Sequence, residues 1–168
     1  MEKGPVGMLN VIPKAGTSWN FALQQVDGKF VADVFLSDWL KRGGAVALRD
    51  GSRYTVRSQD YALLLEAADG SEVAQATQRG IFRREFTVAH RERQYTLKAI
   101  SWMRRECGVF AEGRQLGRVF QEFWLGHSAQ VEIADELPLV LQAFLVWLTL
   151  LLWKRRASVG EYELAPYG

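Results

Sequence analysis

Residues 137–153, LPLVLQAFLVWLTLLLW, are the one long stretch of this chain without a charge, and any fold must hide them. Asp135 and Glu136 precede the stretch, and Pro138 sits where a helix's first turn tolerates a missing N–H. Lys154, Arg155 and Arg156 close it, so the segment reads as a helix with an acidic start and a basic end, each suited to the helix dipole. Seventeen residues at the α-helical rise span roughly 25 Å. Their apolar side chains cover every side rather than a stripe, so such a helix is enclosed either by protein or by lipid.

The rest of the chain decides between these surroundings. From Ser18 onward short alternating runs are punctuated by glycine, the pattern of β-strands and hairpins. Trp19, Phe21 and Leu23 alternate before Asp27-Gly28, and Phe30, Ala32, Val34 and Leu36 alternate after it. Residues 45–48 and 53–57 flank Asp50-Gly51, and residues 61–67 lead into Asp69-Gly70. Residues 37–44 form a connection with room for a helical turn. In residues 81–90, Phe82, Phe86 and Val88 share one parity and Arg83, Glu85 and Thr87 the other, while Arg84 falls on the apolar side, so either a bulge re-aims it or it enters the interior with a partner, the bulge being favoured. Residues 95–100, 107–111 and 115–120 continue the alternation, the last two around Glu112-Gly113, and residues 122–125 and 129–133 supply one or two further strands.

Aligned on their turns, residues 26–32, 68–74 and 111–117 share the pattern acid-Gly-x-x-apolar-small, with Gly28, Gly70 and Gly113 spaced by 42 and 43 residues. Repeated hairpins with one dry face predict a closed antiparallel barrel, because closure removes the exposed edges that so many strands would present. A barrel of about a dozen strands is too wide for its own inward side chains to fill. The apolar helix is long enough to fill that axis, with Gln142 and Thr149 finding buried partners. The competing reading is a tail anchor, since the eleven Leu, Val and Phe residues of the stretch favour membrane insertion by roughly 5 kcal/mol. The void that the strands would otherwise enclose favours the buried helix. The expected organisation is an N-terminal arm or first strand over residues 1–17, a barrel with its helix over 18–156 and a C-terminal tail over 157–168.

Chemistry-bearing motifs are scarce. His90 and His127 are the only histidines, lack a recognisable nucleophile motif, and read as surface or turn residues. Cys107 reads as a buried small hydrophobe, and a single cysteine forms no internal disulfide, which favours a reducing, cytoplasmic setting. The N-terminal residues lack the apolar core of a secretory signal. No phosphate-binding loop, dinucleotide fingerprint or metal-ligand spacing occurs, so the chain reads as a non-enzyme without a cofactor. The net charge of +2 conceals a basic block: residues 79–118 carry ten basic and four acidic side chains. Such a block is either the solvated outer face of a sheet or an attractant for phosphates, whether of lipid headgroups or nucleic acid.

The strand order, the segment Glu112-Gly113-Arg114-Gln115-Leu116-Gly117-Arg118-Val119, then Val131-Glu132-Ile133 and the apolar C-terminal helix resemble the tubby C-terminal-like superfamily. That group includes the tubby domain, the LURP-one-related proteins and the phospholipid scramblases. The resemblance covers roughly residues 18–156 and implies a twelve-stranded barrel wrapped around a hydrophobic helix. It also implies a binding module for anionic phospholipid headgroups or another phosphorylated ligand, carried by basic residues on the outer wall, for which Lys98, Arg104, Arg105, Arg114 and Arg118 are the candidates. The chain departs from scramblases in lacking an acidic calcium-binding segment and a cysteine cluster, and from tubby domains in lacking their C-terminal signature. Two other readings stand beside this one: a scramblase-like or tail-anchored membrane protein using residues 137–153 as its span, and a regulatory binder of nucleic acid or protein.

Overall fold

Alternating apolar residues and tight turns produce twelve strands: β1 Val6–Pro13, β2 Asn20–Gln25, β3 Phe30–Leu36, β4 Gly44–Leu48, β5 Arg53–Gln59, β6 Ala62–Ala67, β7 Glu72–Gln78, β8 Glu85–His90, β9 Arg93–Ser101, β10 Glu106–Ala111, β11 Arg114–Phe120 and β12 Ala129–Ala134. One helix follows, α1 Leu139–Leu164. The structure, a computed structural model, describes residues 6–14, 19–37, 43–78, 85–101, 105–121, 129–134 and 136–164, without the side chains of Val6 and of residues 155–164. Each strand pairs antiparallel with its neighbours in sequence, and β1 pairs with β12, Leu9 opposite Val131, to close the barrel. Val11, Leu23, Val34, Val46, Val56, Leu65, Ala76, Val88, Leu97, Val109, Val119 and Val131, one from each strand, are all at most 2% exposed and face the axis.

That axis is filled by α1. Every residue from Ala143 to Thr149 is fully buried, and consecutive helical residues point about 100° apart, so the barrel wall surrounds the helix on all sides. The two buried polar side chains of the helix are satisfied within it or just before it, Gln142 Nε2 donating to Leu137 O at 2.8 Å and Thr149 Oγ1 to Leu145 O at 2.9 Å. The helix runs closest to β3 and β4, where Trp147 Nε1 donates to Phe35 O at 2.8 Å. Gly44 makes room for that bond: a Cβ there would lie 2.6 Å from Trp147 Nε1 and 2.0 Å from Phe35 O. Among the described residues no helix is long and apolar enough to cross a membrane.

Several expectations need correcting. Pro138 precedes the helix rather than occupying its first turn, and its carbonyl accepts the first helical bond, from Gln142 N at 3.0 Å. Lys154, Arg155 and Arg156 do not end α1, which continues to Leu164, two residues before Pro166. A run of basic residues does not by itself stop a helix. His90 is not a surface residue: it ends β8 facing inward, 7% exposed, with Nδ1 2.8 Å from Val73 O. Cys107 is buried in β10 as expected. The helical turn within residues 37–44, the bulge at Arg84, the strand over 122–125 and the setting of His127 fall wholly or largely outside the described residues.

The acid-glycine repeat resolves into two kinds of turn. At Asp27-Gly28, Asp50-Gly51 and Asp69-Gly70 the glycine takes positive φ, its N–H closes a tight turn, and the aspartate Oδ1 accepts the backbone N–H of Lys29, Ser52 or Ser71 at 2.8–3.0 Å. Glu112-Gly113 is instead a two-residue loop with positive φ at both positions, as a type I′ hairpin requires. The intervals of 42 and 43 residues each contain four strands, two hairpins, so the recurring unit is the hairpin itself.

Candidate functional site

Four of the ten cations in the basic block predicted from sequence, Arg93, Lys98, Arg114 and Arg118, lie on β9 and β11, which flank β10, and along these strands side chains alternate between axis and solvent. On the solvent side Lys98, Gly108, Arg118 and Glu132 stand in register across four adjacent strands. Gly108 forms the floor of this row, because Ile100 and Phe110 fold over the place a side chain would fill: Ile100 Cδ1 would lie 2.5 Å and Phe110 Cε2 2.6 Å from an added Cβ. The Lys98 ammonium sits 4.7 Å from the Phe110 ring centroid, a cation–π contact.

Arg118 is held more firmly. Its Nε donates to Glu132 Oε2 at 3.0 Å and its Nη1 to Glu106 Oε1 at 3.1 Å, while its guanidinium carbon lies 4.1 Å from the Phe120 ring centroid. The hydrogen bond it donates to Glu132, then that to Glu106, raises the guanidinium pKa above its ordinary value. Arg114, at the start of β11, pairs with Glu136 at 3.3 Å. Arg105, just before β10, donates to Gln121 Oε1 at 3.4 Å. Arg104 lies outside the described residues.

The five predicted cations are therefore not one cluster. Lys98 and Arg118 share a row, Arg114 lies at one end of the barrel, and Arg105 precedes β10 at the other. Missed in the sequence were Phe110, which carries Lys98, and the carboxylates Glu106, Glu132 and Glu136, which hold the arginines. Alternation alone places Glu132 on the outside between Val131 and Ile133, but its pairing with Arg118 depends on register. A shallow groove of about 480 Å³ lies beside Phe110, lined by Arg93, Gln94 and Thr96 and flanked by Glu92 and Glu112. Its opposing charges give it no net attraction for an anion.

This barrel has a solved counterpart. The crystal structure of a protein from Arabidopsis thaliana matches 86% of this chain and 92% of its own, with a TM-score of 0.56 at 14% sequence identity. A likeness at that identity establishes the shared fold alone. No protein-family model and no curated protein matches the chain. Among the described residues no group of three or more His, Cys, Asp or Glu is placed to hold a metal.

Proposed function

We propose that this protein is a non-enzymatic binding module of the tubby C-terminal-like kind, similar to the LURP-one-related proteins, and that it engages anionic phospholipid headgroups from the cytoplasmic side. The observation that carries this reading is the occupied axis. With α1 filling the barrel from Ala143 to Thr149 without exposed surface, a ligand has only the outside to bind. No lysine or arginine is among the buried described residues, and the block over residues 79–118 has an excess of six positive charges. Lys98, Arg104, Arg105, Arg114 and Arg118 are the proposed contributors, with Lys98 presented over an aromatic ring.

Flotation of the purified protein with phosphatidylcholine vesicles, with and without phosphatidylserine, tests the reading. Binding is expected only to the anionic vesicles and should weaken as salt screens the surface charge. Equal and negligible binding to both would remove it. Capture by a single-stranded oligonucleotide in preference to vesicles would transfer the reading to nucleic acid, the other polyanion that the charge block suits.

A further inference from the structure

Charge is spread unevenly round the barrel wall. The four consecutive strands β1 to β4 contain a single charged residue, Asp33, whereas each of the other eight strands contains at least one and together they hold eleven. Five of the seven exposed large hydrophobic residues among the described ones, Met8, Ile12, Val26, Phe30 and Phe35, lie on β1, on β3 or in the turn between β2 and β3. These strands are neighbours, so the barrel has one charge-poor, apolar side. An exposed apolar face bordered by polar residues marks a surface that associates.

The charges on this side cancel within the chain. Lys14 Nζ lies 2.7 Å from Asp33 Oδ1, and Lys29 stands 4.0 Å from Asp27 in the turn between Val26 and Phe30. The borders are Glu132 on β12, opposite Met8 and already bonded to Arg118, and Arg53 on β5, opposite Ala47. Carboxamides lie between the apolar residues: Asn10 stands opposite Gln24 in the β1–β2 pair, and Asn20 opposite Phe35 in the β2–β3 pair. Asn10 and Gln24 are half-buried, and among the described residues neither side chain makes a hydrogen bond.

This chemistry selects among occupants. Hydrocarbon satisfies no carboxamide, and a strongly charged partner finds no opposite charge left to pair with. In a two-fold interface the same patch lies on both sides, so residues near the axis meet their own copies and any net charge there repels itself. A neutral face meets that condition, and a carboxamide, which both donates and accepts, pairs with its own kind. Four strands about 4.8 Å apart and roughly 20–25 Å long offer about 500 Å² of each copy, near the lower limit for a specific interface, so association at micromolar concentrations is expected.

We infer that the barrel forms a two-fold dimer with a second copy of this chain through the outer face of β1 to β4, with β2 nearest the axis. Lys98 on β9 lies five strands round the wall from β2, so such a dimer leaves it uncovered, and the inference does not rest on the anionic-lipid reading.

Sedimentation equilibrium of the full chain across the micromolar range should show a reversible monomer–dimer equilibrium. Gln24→Lys and Gln24→Glu each set like charges against each other near the axis, and each should weaken association at least about tenfold. Mixing these two proteins in equal amounts brings opposite charges face to face and should restore association, which a folding defect in either would prevent. Met8→Ser/Phe30→Ser should weaken it severalfold, whereas Tyr61→Ser, at a 91% exposed position between β5 and β6, should leave it unchanged. Wild-type protein that stays monomeric throughout overturns the inference. So does a dimer that tolerates Gln24→Lys, or one that Tyr61→Ser disrupts as much as Met8→Ser/Phe30→Ser does.

Discussion

Gly44→Ala is the smallest perturbation that probes how the barrel accommodates its helix. The new Cβ would stand 2.0 Å from the backbone oxygen of Phe35 and 2.6 Å from the Trp147 indole nitrogen. The first neighbour is main chain inside a paired strand, and the second is a fully buried ring, so neither gives way cheaply. Overpacking of this kind costs about 1–3 kcal/mol. If the strain is relieved by pushing the indole aside, the bond from Trp147 Nε1 to Phe35 O is lost and a buried donor is left unpaired, a further ~1–3 kcal/mol. The sum is about 2–6 kcal/mol, and at 2–4 °C per kcal/mol for a chain of this size Tm should fall by roughly 4–24 °C. Urea unfolding followed by circular dichroism reads the loss as a lower midpoint at unchanged slope. Trp147→Phe supplies the second arm of a double-mutant cycle. If the alanine acts through the indole, Gly44→Ala should cost at least ~1 kcal/mol less in the Trp147→Phe background than in wild type. Strict additivity, or a single variant as stable as wild type, would refute the close approach of α1 to β3 and β4.

Two further predictions follow from the same architecture. Leu145→Arg puts a charge at a fully buried position on the helix, at a cost of several kcal/mol, and should abolish cooperative unfolding in calorimetry; a folded, cooperative variant would contradict a helix enclosed on all sides. Hydrogen bonds from Ser52 and Ser71, side chain first and backbone second, hold the Asp50 and Asp69 carboxyls below their ordinary value of 3.8. A depressed folded-state pKa means that the unfolded chain binds more protons, so this stabilisation is present above pH 3.8 and is lost as pH falls through the folded-state values. Both groups are exposed, so the effect is small, and Asp50→Ala/Asp69→Ala should flatten the acid limb of a Tm-against-pH curve while changing the shape little at neutral pH.

Much of this barrel could be read before its strands were paired, because most determinants are local. A strand with one dry face repeats every second residue, and an Asp-Gly pair encodes a turn through a carboxylate that reaches two residues on and a glycine that accepts positive φ. The segment 137–153 announced itself by lacking a polar face. What stayed illegible was either weakly patterned or set by distant partners. β7, Glu72–Gln78, places only Ala74 and Ala76 fully inside, and alanine is no marker of a strand. His90 read as a surface or turn residue because no nucleophile motif accompanies it, yet its parity with Phe86 and Val88 turns it inward.

Register explains why the candidate site was the least legible part. Arg118 meets Glu106 and Glu132, twelve residues before it and fourteen after, and neither spacing has meaning until three strands are aligned. The alignment is shifted by irregularities between Glu106 and Cys107 and between Val109 and Phe110, which no alternation pattern announces. A charge count over residues 79–118 therefore found the cations but not their counterions, and on the wall the counterions matter most. Arg118 has two carboxylates and Arg114 has one, so a phosphate arriving there must compete with bonds already made.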